Sequence, residues 1–563
     1  MTSQRISRFF LAFCVTAVSV AACSQPEDPQ LPGPEAVALA PDAPPVPAAE
    51  RDNGDAIVFG SIGDASNLLP MLASDSASHQ IAGYLFDGLV SYDKTLSVLE
   101  PRLAESWEVS EDGLTITFVL RKGLEWSDGD PFDVADIKFG FDKIRDPKTL
   151  TSYAEDYKQV SKFEVLDDFS FRVTYDKPFA PALASWGNMV VLPSHLLADV
   201  DINETPLARE PVTIGSYTLE KWETNTSLSL RSNHDYYRGR PHVERVVYRV
   251  IPDQATQFLE LKSGGLDSMG LTPLQYRRQT STRQFNEDFT KYRYVSGGYT
   301  YLGYNLTNPL FEDVRVRRAL THAIDKQEIV DTVLLGLGSI AETPYRPGTA
   351  WINQTLVDEA PFPYDPERAR ALFAEAGWED TNGDGVLDKD GERFTFRILT
   401  NSGNDLRLKT ATVIQQRLKE VGVAVEVRVL EWSAFINDFV DKRNFDALVL
   451  GWSLSLDPDQ YDIWHSSKTE FKQFNFVGFK NDEVDDLLEK GRRLFDTDER
   501  KAIYDRIQEI IAQEQPYTFL YVPDALPTVH ARFRGIDEAP AGISWNFHEW
   551  YVPEGQQKYS LEP

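Results

Sequence analysis

The sequence predicts an α/β protein of two or three domains. Length is the first reason: 563 residues are too many for one hydrophobic core. The second is an alternation of elements: strand Phe394 to Leu399, helix Asp405 to Val421, strand Val423 to Leu430, helix Ser433 to Asp441, strand Asp446 to Leu450. Strands alternating with helices of this length pair in parallel through right-handed crossovers. The third is the run Ala447-Leu-Val-Leu450, a short apolar stretch fit for a strand covered on both faces.

The chain begins with a targeting segment. Arg5 and Arg8 form a basic flank, and Phe9 to Val20 an apolar stretch too short to span a membrane. It closes on Val20-Ala-Ala-Cys23-Ser24, which resembles the lipobox of bacterial lipoproteins and implies residues 1–22 as signal peptide and Cys23 as the lipidated first residue. Cys14 would leave with the signal, so no disulfide is expected. Residues 23–54 read as a tether: between Ser24 and Glu50, eight of 27 residues are Pro and none is basic. Such a segment reaches roughly 80 Å at about 3.1 Å per residue.

The body reads from about residue 55. Ala56 to Ser61 is a strand, followed by the turn Gly63-Asp64-Ala-Ser-Asn67 and a helix from Ser76 to Phe86. Trp107 to Ser110 and Leu114 to Leu120 form a hairpin across Glu111-Asp-Gly113, the second strand placing Leu114, Ile116, Phe118 and Leu120 inward. Asp133 caps a helix with Val134, Ile137, Phe139 and Phe141 on its buried face. Phe163 to Val165 pairs with Phe171 to Tyr175, and Ser216 to Trp222 with Ser227 to Arg231. Further on, Leu408, Ala411, Ile414, Leu418 and Val421 recur at helical spacing. Gly451 then breaks the last strand, and Trp452, Ser453, Leu454 and Ser455 enter a loop closed by Asp457-Pro458. Ligands of α/β lobes sit at such carboxyl strand ends.

Three blocks carry a resemblance. The first is Leu103-Ala-Glu-Ser-Trp-Glu-Val-Ser-Glu-Asp-Gly113, Phe118-Val-Leu-Arg-Lys-Gly123, Trp126-Ser-Asp-Gly129 and Asp133-Val-Ala-Asp-Ile137. The second is Tyr301-Leu-Gly-Tyr-Asn-Leu306 with Phe311-Glu-Asp-Val-Arg-Val-Arg-Arg-Ala-Leu320. The third is Asn475-Phe-Val-Gly478 with the segment from Tyr504 to Tyr517. Together they resemble solute-binding protein family 5, the peptide-type extracytoplasmic receptors of ABC importers. The resemblance implies a two-lobed periplasmic-binding-protein (Venus-flytrap) fold of the large, three-domain type, its lobes joined by two hinge strands. Residues 55–85, 205–299 and 520–563 would form the core of lobe 1, 86–204 its accessory domain, and 300–519 the α/β lobe 2. The chain would cross back near Tyr517 to Val522.

By the same resemblance an oligopeptide lies between the lobes, paired to strand edges. Gly451 and Ser453 would offer main chain, Trp452 a wall, Leu454, Ser455 and Asp457 the rest of that rim, and Gly63, Asp64 and Asn67 the opposing lip. Trp186 and Asn188 would lie near the cleft, as would Asn305 of the second block. Many such receptors place an Asp where this chain has Ser455. Either Asp457 or Asp459 takes over the ligand's ammonium, or the ligand presents no amine there. Oligosaccharides are the alternative ligand, since 12% of residues are aromatic. Implied partners are the importer's transmembrane subunits and, through the lipid, the membrane; the receptor is expected in the periplasm or cell envelope, as a monomer.

Other chemistries find little support. A formal charge of −30 repels phosphate backbones, excluding nucleic acid. Gly451-Trp-Ser453-Leu-Ser455 fails the last position of a nucleophile elbow. The eight His are scattered without zinc spacing. No cofactor is required, and an exported hydrolase or an assembly lipoprotein remains the remoter reading. One metal pattern stands out: Asp380, Asn382, Asp384, Val386 and Asp388 follow the order of a calcium loop, with Gly385 at its turn. It departs at the twelfth position, Gly391, so calcium there would be structural.

Overall fold

The structure, a computed structural model, describes residues 51–187 and 191–559. The signal segment, Cys23, the tether up to residue 50 and Asn188 lie outside the described residues. Two seven-stranded sheets organise the body. In the first, the order is Phe289–Lys291, Pro527–His530, Ser268–Gly270, Gly54–Ser61, Val243–Val250, Ser227–Ser232 and Tyr217–Glu223. Gly54–Ser61 lies parallel to Val243–Val250, and the edge is built from hairpin strands. One lobe therefore draws on both ends of the described chain.

A four-stranded antiparallel sheet belongs to the same lobe: Ala104–Val109, Thr115–Leu120, Ser170–Tyr175 and Val160–Asp167. Thr115–Leu120 alternates as its sequence requires, with Ile116, Phe118 and Leu120 buried. Helix Val134–Arg145 crosses it, opened by Asp133 and Asp136 in a reciprocal capping box.

The second sheet runs Tyr294–Val295, Tyr517–Ala525, Gly298–Tyr304, Ala447–Ser453, Thr395–Asn401 and Ala424–Leu430, with Gly338–Ile340 beside Tyr517–Ala525. Its last three members are parallel, while Gly298–Tyr304 runs antiparallel to both its neighbours. Helices Val314–His322, Pro366–Glu375 and Asp405–Glu420 contribute to the core on one face; Phe435, Trp464, Phe476 and Tyr504 fill the other. Burial on both faces explains why every residue of Gly298–Tyr304 is buried.

Two expectations shift. Leu408 is exposed, whereas Ala411, Ile414, Leu418 and Val421 are buried. At about 100° per residue, Leu408 lies roughly 100° around the helix from the centre of that face. Tyr517 to Val522 stays within the second sheet, paired to Gly298–Tyr304 or Gly338–Ile340, and the crossing falls later. There Tyr294↔Ala525 and Val295↔Asp524 pair two antiparallel segments between the lobes.

Candidate functional site

The rim forms where strand Ala447–Ser453 outruns one neighbour. Its pairing with Thr395–Asn401 ends at Leu448, but pairing with Gly298–Tyr304 continues to Ser453. The strand therefore does not break at Gly451. It persists because Gly298 has no side chain: a Cβ there would sit 1.8 Å from the Trp452 carbonyl oxygen. Neighbouring strands that part at their carboxyl ends open the crevice in which α/β lobes bind ligands.

Trp452 stands half-buried at this end. Its ring packs edge-on against Phe474 (centroids 5.4 Å) and stacks on Phe476 (5.6 Å), and its Nε1 donates to the Tyr517 hydroxyl at 3.3 Å. Phe474 meets Tyr153 of the other lobe edge-on at 5.4 Å, and Tyr153 meets His79 at 5.6 Å. An aromatic ladder thus crosses from one lobe to the other. Burial pulls the His79 pKa down, so the ring at its far end is neutral at pH 7.

Two lines of contact draw the lobes together. In the first, Trp432 Nε1 donates to Asp75 Oδ1 at 3.2 Å, while Asp75 caps helix Ser76–Leu85 through Ser78 N at 3.0 Å. Beside it, a Cβ on Gly63 would lie 2.8 Å from Trp432 Cβ. The Asp405 amide donates to Gln254 Oε1 at 3.2 Å. In the second line Lys468 pairs with Glu155 at 2.7 Å, Arg492 with Asp156 at 3.0 Å, and Arg493 Nη2 donates to Gln159 at 2.7 Å. Arg492 also pairs with Asp459 at 2.7 Å and lies over the Tyr461 ring at 4.2 Å. Burial pushes the Asp156 carboxyl up, against the pull of Arg492. On the first line's side, burial pushes Asp441 up to about 6; Lys472 opposes and Asp75 reinforces that rise.

Of the residues expected at the site, Gly451, Trp452 and Ser453 form the open end of the strand, and Gly63 meets the opposite lobe. Ser455 is exposed and donates to the Asp457 carbonyl at 2.9 Å. The others are committed elsewhere. Leu454 turns into the core, its amide bonded to the Gly297 carbonyl at 3.0 Å. Asp457 pairs with Arg500 at 2.9 Å. Asp64 is buried as acceptor for Trp222 Nε1 at 2.9 Å and Asn225 N at 2.8 Å. Asn67 closes its own turn on Leu69 N at 2.8 Å. Trp186 is 1% exposed among Phe118, Phe141, Phe163 and Phe171, its Nε1 donating to Tyr175 at 3.2 Å. Asn305 follows the far end of Gly298–Tyr304, tying down the Phe445 carbonyl at 2.9 Å. Sequence reasoning missed Asp75, Tyr153, Trp432 and Phe474. Only Asp75, as a helix cap before Ser76, carried a local signal.

In the 380–388 loop the side chains serve their own backbone. Asp380 accepts from Gly383, Asp384 and Gly385 amides at 2.8, 3.1 and 2.9 Å, and Asp388 accepts from the Thr381 amide and hydroxyl at 3.0 and 2.7 Å. Asp384 also pairs with Arg393 at 3.2 Å. Among the described residues, no three acidic, His or Cys side chains converge on a metal-sized space.

Comparison with known proteins points to the same two-lobed architecture. The model of bacterial extracellular solute-binding proteins, family 5 (middle part), matches residues 98–473. The oligopeptide-binding protein AppA of Bacillus subtilis is 33% identical over 517 residues, covering 90% of this chain and 93% of that protein. The structure of AppA with a nonapeptide superposes with a TM-score of 0.85 at 32% identity, over 90% of this chain and 100% of that one. The periplasmic binding protein DppA of Helicobacter pylori, solved with the peptide STSA, gives 0.79 at 27% identity, over 89% and 98%.

Proposed function

Because the chain belongs to family 5 of the bacterial extracellular solute-binding proteins, we propose that it captures oligopeptides between its lobes and delivers them to the transmembrane subunits of an ABC importer. One observation carries this reading: a strand that parts from one neighbour at Leu448 and keeps the other up to its end at Trp452 and Ser453, with the first lobe drawn across it. An extended peptide joins such an edge through its main chain, which fixes chain direction and leaves side chains free. The nonapeptide of AppA and the tetrapeptide-length ligand of DppA support this ligand class.

Capture works by closure. A ligand touching both lobes favours the closed form, and about 5.5 kcal/mol of preference carries a 1:99 population to 99:1. The receptor acts as a monomer outside the cytoplasm, tethered by lipid on Cys23; among the described residues no helix is long and apolar enough to cross a membrane. Replacing Cys23 should release the protein from the membrane fraction, and continued membrane association would refute the tether. The ligand reading is tested by native mass spectrometry of freshly purified protein. A carried-over peptide is the expected result, and a carried-over oligosaccharide would overturn it.

A further inference from the structure

The second line of contact between the lobes comes from short segments that flank the strands of the four-stranded sheet. Helix Ala154–Lys158, which leads into strand Val160–Asp167, carries two adjacent acids, Glu155 and Asp156, in its first turn. Each meets a different buried cation of the second lobe. Glu155 meets Lys468 at 2.7 Å and Asp156 meets Arg492 at 3.0 Å, and the cations' side chains are only 6% and 1% exposed. Main-chain groups close around these pairs. The Ala180 amide donates to the Arg492 carbonyl at 2.8 Å, Gln473 Nε2 donates to the Thr151 carbonyl at 2.9 Å, and the Ser152 hydroxyl donates to the Lys472 carbonyl. At the hairpin turn between Ala104–Val109 and Thr115–Leu120, a Cβ on Gly113 would sit 2.8 Å from the Phe495 ring of the second lobe.

Both cations have a second acid on their own lobe. Arg492 bonds Asp459 through Nη2 at 2.7 Å and Nε at 3.0 Å, and Lys468 pairs with Asp462 at 3.1 Å. When the lobes part, Glu155 and Asp156 return to water and neither cation loses its last countercharge. A buried pair that simply loses one partner leaves an uncompensated charge, which is strongly destabilising. The doubled acids therefore make this contact reversible. Every group in it belongs to the protein, so it favours the closed form whether or not the cleft is filled.

We propose that the part of the first lobe built on the four-stranded sheet is a clasp, in which Glu155 and Asp156 are positioning residues that set the closed-to-open ratio before any ligand binds. Apparent affinity scales with the population of the binding-competent form, so the clasp tunes affinity for every ligand without touching one. The inference rests on the two-lobed fold and is independent of which solute the cleft takes.

The test uses the purified protein, refolded from denaturant to strip any carried-over solute, and needs no ligand. X-ray scattering, fitted as a mixture of open and closed forms, gives the closed-to-open ratio. The combined substitution Glu155→Gln and Asp156→Asn should lower that ratio by at least about fivefold, since two charge-assisted contacts are lost. Melting curves establish that the variant folds. A double-mutant cycle then tests the pairing: Glu155→Gln and Lys468→Gln should each lower the ratio, and together they should lower it no further than the larger single effect. A smaller fall in the Glu155→Gln, Asp156→Asn protein would overturn the proposal. So would an unmodified protein that is wholly open without ligand, or additive effects in the cycle, since the two residues would then act apart. If Lys468→Gln does not fold, the two first-lobe substitutions decide alone.

Discussion

Gly63→Ala separates closure from folding. The methyl group would lie 2.8, 3.1 and 3.3 Å from Trp432 Cβ, Cγ and Cδ1, all nearer than ordinary contact. Trp432 Cβ is fixed to the backbone and cannot swing aside, and the ring beyond it is held by Asp75 at 3.2 Å. The clash exists only while the lobes are together, so the free lobes tolerate the substitution. Overpacking of this kind costs about 1–3 kcal/mol. Charged to the closed state alone, it lowers the closed population and weakens apparent affinity by about 5- to 150-fold. Calorimetry with an oligopeptide ligand should show that loss, while the melting temperature without ligand changes little. X-ray scattering should show a larger radius of gyration for the variant at subsaturating peptide. Unchanged affinity would refute the idea that Gly63 and Trp432 meet on closure.

Trp452→Ala removes two aromatic contacts worth about 1–3 kcal/mol in total and a wall of the rim. Peptide affinity should fall at least tenfold with folding intact, and unchanged calorimetry would remove Trp452 from the site. Asp441 gives a pH signature. Its folded pKa of about 6 exceeds the usual 3.8, so between about pH 4 and 6 the folded state binds more protons than the unfolded one. Stability conferred by this group therefore falls as pH rises through that window, by up to about 3 kcal/mol. Asp441→Asn should raise the melting temperature at pH 8 and leave it nearly unchanged at pH 4; equal effects at both would refute the shift. If the 380–388 loop holds calcium, the ion should raise the melting temperature, and the rise should vanish in Asp384→Ala. An identical rise in the variant would discredit that loop as the site.

What the sequence determined by itself is whatever depends on neighbours in the chain. Alternation fixed which face of Thr115–Leu120 is buried, Asp133 with Asp136 opened a helix, and the apolar run Ala447 to Leu450 required cover on both sides. The family blocks extended this to the lobed architecture, and the apolar run placed Trp452 at the carboxyl end of a strand. Tertiary structure decided which polar side chains are free. Asp457, Asp459 and Asp64 look available in the sequence, yet Arg500, Arg492 and Trp222 occupy them, and these lie 43, 33 and 158 positions away. Trp186 and Trp452 are both tryptophans in segments expected near the cleft, but one is sealed among phenylalanines and the other stands at an opening. The ladder from Trp452 through Phe474 and Tyr153 to His79 joins residues hundreds of positions apart. Local propensity acts over a few residues, whereas pairing of charges and stacking of rings act over a few ångströms, and only the folded chain makes those distances small.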